Sequence, residues 1–178
     1  MSIPNMISLA RILITPIFVR MYLEGEQTAA MWLLAAAAVS DMLDGLVARR
    51  FNMITPLGKV LDPVADKLLQ LAMLLCLVRR SAGVIWLLLL HVLREGGLFL
   101  LGTLVYRRSG ELIGSRWYGK LCTALMYSVL GAALLWQNMP EKILETGLML
   151  CAGMIVLCMV LYTGEYLRLL RRTEEKRA

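Results

Sequence analysis

An all-α integral membrane protein, a bundle of six transmembrane helices, is the fold class that this sequence predicts. Three observations carry it. Of the 178 residues, 59% are hydrophobic, against about 45–50% in an ordinary soluble domain. The apolar residues gather into six stretches, each near the about 20 residues that a spanning helix requires. The breaks between them are short and polar, which forces consecutive helices to run antiparallel. A transmembrane barrel would need a period-two alternation that the sequence lacks, and only helices or closed barrels satisfy their backbone in lipid.

Taken in order, the stretches cover residues 6–23, 28–48, 57–78, 83–106, 117–137 and 143–170. Glu24, Gly25 and Glu26 close the first. Arg49 and Arg50 open the break after the second, and Thr55-Pro56 reads as the N-cap and first-turn proline of the third. Arg79 and Arg80 end the third, Arg107 and Arg108 the fourth, and Asn138 to Lys142 separate the fifth from the sixth. No linker or repeat divides the chain, so residues 1–178 are expected to form a single domain. No basic n-region or small-x-small cleavage site marks the first stretch as a removable leader. The four cysteines, Cys76, Cys122, Cys151 and Cys158, lie inside apolar stretches without metal-ligand spacing and read as small packing residues.

The basic residues orient the bundle. With the N-terminus in the cytoplasm, that side holds Arg49, Arg50, Lys59, Arg107, Arg108, Arg116, Lys120, Arg168, Arg171, Arg172, Lys176 and Arg177, against Arg20, Arg79, Arg80 and Lys142 opposite. This asymmetry places both termini inside, as the positive-inside rule requires. The Arg79-Arg80 pair is the exception. The net charge of +6 is then a cytoplasmic rim suited to anionic lipid headgroups. It does not describe a nucleic-acid surface, because the basic residues border apolar helices.

Four carboxylates lie within the second and third stretches, on either side of the break that joins them. Asp41 and Asp44 are three apart; Asp62 and Asp66 are four apart. Either spacing puts a pair on one helix face. Ionisable groups in a membrane segment cost several kcal/mol each and mark function, and four facing carboxylates repel one another. Two divalent cations would neutralise them. Hard oxygen donors suit Mg²⁺ or Mn²⁺, and no His or Cys is nearby to favour zinc. The competing reading is a structural ion-pair cluster with Arg49, Lys59 and Lys67. Gly45 and Gly58 each cost helix stability unless something must approach the backbone, and Arg49 offers a planar fork to a phosphate.

The pattern Asp41-x2-Asp44-Gly45-x2-Ala48-Arg49-x8-Gly58-x3-Asp62-x3-Asp66 resembles the full signature of the CDP-alcohol phosphatidyltransferase family, with all eight fixed positions present. The resemblance extends to six membrane helices with the signature across the second and third. It implies a transferase that moves a phosphatidyl group from a CDP-linked donor to a hydroxyl and releases CMP. It further implies two divalent ions, Mg²⁺ or Mn²⁺, held by Asp41, Asp44, Asp62 and Asp66, with Asp66 also the base that takes the acceptor's proton. Gly45, Ala48 and Gly58 would leave room for the cytidine, and Arg49 and Thr55 would contact the donor. In the family an Asn-x-x-Thr/Ser in the first helix touches the donor diphosphate, which here is Asn5 and Ser8; a helix cap is the alternative for Asn5. Arg11, three residues further along that face, either reaches phosphate or snorkels to the interface.

The acceptor is read from the second half. Arg94 lies mid-stretch beside His91 and Glu95 and needs a partner. Ser115, Arg116 and Lys120 open the fifth stretch, with Arg116 and Lys120 on one face. Together with Arg94 they are expected to bind the acceptor. Three cations favour a phosphorylated alcohol, so the chain is most similar to the branch that uses CDP-diacylglycerol and glycerol 3-phosphate. The branch that uses phosphatidylglycerol is the alternative, and a transporter with a buried acidic site is the competing class. Trp117 and Tyr118 read as interface anchors, and Gly96 and Gly97 as a close helix contact. The resemblance implies a homodimer in the cell (inner) membrane with its active site facing the cytoplasm; residues 148–160 are a charge-poor candidate seam.

Overall fold

Each apolar stretch becomes a helix whose ends fall at the polar breaks. The computed structural model describes the backbone of residues 3–51, 58–110, 114, 116–136 and 138–175, and the side-chain surroundings of residues 5–40, 61–110, 114, 116–136 and 138–172. The helices are α1 (Ile3–Leu23), α2 (Gln27–Phe51), α3 (Gly58–Leu77), α4 (Ala82–Ser109), α5 (Trp117–Leu135) and α6 (Glu141–Glu175). No strand occurs among the described residues. Thr55, Pro56 and Ser115 lie outside them.

Local chemistry fixes the ends. α1 closes on the i,i+4 pair between Arg20 Nε and Glu24 Oε1 at 2.8 Å. Gly25 then turns the chain at φ 88°, a left-handed conformation that glycine adopts without a Cβ penalty. Ser81 caps α4, its hydroxyl accepting from Gly83 N at 3.2 Å. Gly110 ends α4 at φ 70°, donating its N–H to Tyr106 O, the common left-handed C-terminal stop. Arg80, out of place by the charge rule, has a local use. Its guanidinium donates to Ala133 O, to Trp136 O at 3.0 Å and to Met139 O at 3.4 Å. A cation there complements the carbonyl end of α5 and the turn that follows it.

Among the described residues, four helices are long and apolar enough to cross a membrane, over Asn5–Leu23, Ala82–Ser109, Trp117–Leu135 and Glu141–Arg172. The 19 residues of α5 reach about 28 Å at a rise of ~1.5 Å each, close to the hydrocarbon thickness of about 30 Å. Within its described side chains α2 is apolar over Gln27–Ser40, and the helix itself runs on to Phe51. α3 carries Lys59, Asp62, Asp66 and Lys67 in its sequence.

The chain divides into two compact units, Met1–Arg79 and Arg80–Ala178. In the first, α1 packs against both α2 and α3. Its core holds Phe18, Ala30, Ala37, Ala65, Leu69, Met73, Leu74 and Leu77. In the second, α6 packs against both α4 and α5, around Leu87, Met126, Leu130, Leu134, Leu144 and Ile155. All four cysteines are free and buried, consistent with their reading as packing residues.

Three expectations about the second unit change. Tyr118 is not an interface anchor: it is buried, with its ring 4.7 Å from that of Tyr162 in an edge-on contact. Trp117 remains exposed. Nothing among the described residues lies within 4 Å of a Cβ placed on Gly96 or Gly97. The close glycines are instead Gly119, where a Cβ would come 2.6 Å from Tyr162 Oη, and Gly147, where it would come 2.8 Å from Val129 Cγ1. Finally, the 148–160 seam is divided: Leu148, Cys151, Ile155 and Cys158 are buried, while Met149, Leu150, Val156, Leu157 and Val160 are exposed.

Candidate functional site

The polar side chains of the first unit converge where α1 meets α3. On α1, Asn5, Ser8, Arg11 and Thr15 are all buried. Their spacing of three, three and four puts them on one face. On α3, Asp62, Asp66 and Gln70 recur every four residues, and that face also buries Ala65 and Leu69. Asn5 lies in the first turn of α1, inside the helix rather than at its cap.

The two faces meet through named contacts. Ser8 Oγ donates to Asp62 Oδ1 at 3.3 Å. Arg11 Nη1 lies 3.8 Å from Asp62 Oδ1 and 3.8 Å from Asp66 Oδ1. The Arg11 side chain is 0% exposed, whereas those of Asp62 and Asp66 are 53% and 31% exposed. The carboxylates thus form an open rim, and the guanidinium lies beneath them. Thr15 returns its hydroxyl to Arg11 O at 2.8 Å, so this residue costs the seam no unsatisfied donor. Gln70, one turn beyond Asp66, is fully buried, and neither side-chain amide atom has a hydrogen-bond partner among the described residues. Sequence reasoning missed Gln70. The signal was present, since it continues the four-residue spacing of Asp62 and Asp66.

Asp41, Asp44, Gly45, Ala48 and Arg49 lie in the C-terminal half of α2, and Gly58 begins α3. Their side chains lie outside the described residues, as do Thr55 and Ser115 altogether. Among the described residues no three His, Cys, Asp or Glu side chains gather as a metal site; Asp62 and Asp66 are the half of the acidic set that is described. Their donor chemistry fits a hard divalent cation. Both present carboxylate oxygens on a half-open face, the hard donors that such an ion takes.

The cations expected to bind the acceptor lie in the second unit. Arg94 is buried on α4, and its Nη1 is 3.0 Å from Glu95 Oε1. His91 is buried one turn before it. Arg116 is held at the start of α5 by two contacts: its backbone N–H donates to Tyr162 Oη at 3.1 Å, and its Nε donates to Glu165 Oε2 at 2.9 Å. Lys120, one turn on, is exposed. The structure therefore gives Arg94 and Arg116 protein partners of their own, one buried and one at the surface.

Comparison with known proteins follows the same lines. The family model described as CDP-alcohol phosphatidyltransferase matches residues 1–163. A protein of Bacillus subtilis (strain 168), named CDP-diacylglycerol--glycerol-3-phosphate 3-phosphatidyltransferase, is 34% identical over 81% of this chain and 81% of its own length. A probable phosphatidylglycerophosphate synthase of Mycobacterium tuberculosis (strain ATCC 25618 / H37Rv) is 31% identical over 94% of this chain and 82% of its own. A cardiolipin synthase (CMP-forming) of Streptomyces coelicolor is 37% identical over 72% of this chain and 63% of its own.

Proposed function

The chain belongs to the CDP-alcohol phosphatidyltransferase family, and we propose on that footing that it transfers the phosphatidyl group of CDP-diacylglycerol to glycerol 3-phosphate. It is a transferase of phospholipid biosynthesis and a multi-pass membrane protein. The observation that carries the acceptor is the likeness, over four-fifths of both chains, to a relative named for glycerol 3-phosphate. The relative named cardiolipin synthase keeps phosphatidylglycerol as the second reading. The family match runs across both compact units, which supports reading residues 1–178 as one functional domain.

In this reading Asp41, Asp44, Asp62 and Asp66 hold two divalent ions, Mg²⁺ or Mn²⁺. Bound there, such ions supply charge neutralisation for the donor diphosphate and for the departing CMP. Everything else is the chain's own work. Asp66 accepts the proton of the acceptor hydroxyl as the new P–O bond forms at the phosphorus bearing the diacylglyceryl group. The P–O bond to CMP breaks in the same displacement, and CMP leaves with the electron pair. Asn5, Ser8, Arg49 and Thr55 orient the donor, with Gly45, Ala48 and Gly58 making room for the cytidine. The contact from Ser8 to Asp62 supports this grouping, because it ties the α1 polar face to the carboxylate rim. Arg94, Ser115, Arg116 and Lys120 bind the acceptor phosphate.

The site faces the cytoplasm of the cell (inner) membrane, in keeping with the charge asymmetry of the sequence. A second copy pairs with the first, and the exposed apolar row of Met149, Leu150, Val156, Leu157 and Val160 on α6 is a surface suited to it. Crosslinking through a cysteine placed at Val156 should trap a dimer; a monomer under the same conditions would exclude that surface.

The test of the activity is CMP release by purified protein given CDP-diacylglycerol, Mg²⁺ and one acceptor at a time. Release should require glycerol 3-phosphate and yield phosphatidylglycerophosphate. Release with phosphatidylglycerol alone would transfer the chain to the second reading.

A further inference from the structure

Arg11 is among the largest fully buried side chains of the molecule, and its charge cannot be relieved by losing a proton. A buried guanidinium in a membrane helix persists only when other groups offset its desolvation. Here one nitrogen, Nη1, stands at the same 3.8 Å from one oxygen of each of two carboxylates. That distance lies within ion-pair range but beyond the about 2.7–3.2 Å of a hydrogen bond. The guanidinium therefore offsets the repulsion between Asp62 and Asp66 without closing on either carboxylate. Ser8 addresses the same Asp62 oxygen, so α1 engages Oδ1 from below while the carboxylate stays half open above.

We propose that Arg11 is a positioning residue, a built-in cation that holds Asp62 and Asp66 side by side before a divalent ion arrives and sets how tightly that ion is held. The proposal rests on the reading of Asp62 and Asp66 as metal ligands. It makes a signed prediction. A fixed positive charge near the carboxylates opposes a divalent cation, so removing it should tighten binding about tenfold even under water-like screening. The metal-free protein should at the same time lose stability, because two neighbouring carboxylates lose the positive charge that Arg11 places between them. The divalent ion then takes over more of that relief, and its stabilising effect should grow.

The experiment is Mn²⁺ titration of full-length protein in detergent, read by the electron paramagnetic resonance of free Mn²⁺ and by thermal unfolding. Arg11→Met and Arg11→Gln remove the charge, the second with a polar head in case the first does not fold. Arg11→Lys keeps the charge. Wild type and Arg11→Lys should bind within about threefold of each other, while a neutral variant binds about tenfold more tightly. Mn²⁺ should raise the neutral variant's Tm at least twice as far as that of wild type. A merely structural arginine would lower Tm with and without metal and leave the Mn²⁺-induced rise unchanged. Equal or weaker Mn²⁺ affinity in the neutral variants would overturn the role of Arg11 alone. No Mn²⁺ binding by wild type would overturn the metal reading and this proposal together.

Discussion

Where α1 meets α3, the first unit buries Asn5, Ser8, Arg11, Thr15 and Gln70 beside two carboxylates. Where α5 meets α6, the second unit buries Cys122, Met126, Leu130, Cys151, Ile155 and Cys158, with Tyr118 edge-on to Tyr162. The second seam is what a helix pair in lipid needs for stability: small residues at closest approach and dispersion contacts along the rest. The first is costly by that standard, since polar groups in a membrane helix are expensive unless paired. A helix pair that accepts that cost around Asp62 and Asp66 is organised for chemistry, whereas the α5–α6 pair is organised for packing. Substitutions in the first should therefore act on turnover and metal, and substitutions in the second on folding.

The largest effect belongs to the first seam. Asp66→Asn should lower CMP release by about 10²–10⁴-fold, the range for loss of a positioned base, while the variant still folds. Turnover within threefold of wild type would remove Asp66 from the proton transfer. Chelation by EDTA should silence the wild type, with Mg²⁺ or Mn²⁺ restoring it; full activity in chelator would end the two-metal reading.

Next comes the second seam. A methyl group at Gly147 would meet Val129 Cγ1 at 2.8 Å, and valine has little rotamer freedom with which to move aside. Gly147→Ala should cost about 1–3 kcal/mol by overpacking, seen as a lower Tm, with turnover per folded molecule unchanged. A lost Tm accompanied by a changed metal requirement would break the division between the two seams.

A smaller and more discriminating effect is expected at Arg116, which both pairs with Glu165 and is proposed to bind the acceptor. Arg116→Ala should raise the KM for glycerol 3-phosphate about tenfold, the scale of one charged hydrogen bond, and leave the KM for the CDP-lipid unchanged. Glu165→Ala should leave both KM values unchanged, because an exposed ion pair contributes little. Equal KM effects from the two variants would return Arg116 to a structural role. Smallest is the cap: Ser81→Ala should cost ~1 kcal/mol of stability and no activity, and a measurable change in KM would contradict its purely local part.

Helix limits were legible because local chemistry sets them. Glu24, Gly25 and Glu26 announced the end of α1, and the polar break at Ser81 announced α4. The aspartates were legible for the same reason, since three- and four-residue spacings are properties of one helix. What depended on a distant partner was not. Arg11 could be assigned to phosphate or to the interface until Asp62 and Asp66, some fifty residues on, were seen at 3.8 Å. Arg79-Arg80 looked like a breach of the charge rule until Arg80 was found on carbonyls at the end of α5 and in the turn after it. Small residues were ambiguous in the same way. Gly96 and Gly97 advertise close approach as loudly as Gly119 and Gly147, yet only the latter two have a side chain against them. Tyr118 beside Trp117 resembled a pair of anchors, but one helix position separates a lipid-facing ring from one turned toward Tyr162.

The most direct test is the number of Mn²⁺ ions that purified protein binds with CDP-diacylglycerol present, compared between wild type and a variant carrying Asp41→Asn, Asp44→Asn, Asp62→Asn and Asp66→Asn. Two ions per chain in the wild type and none in the variant would tie the aspartates to the metals. Equal binding by both would contradict the claim that these four carboxylates are the metal site.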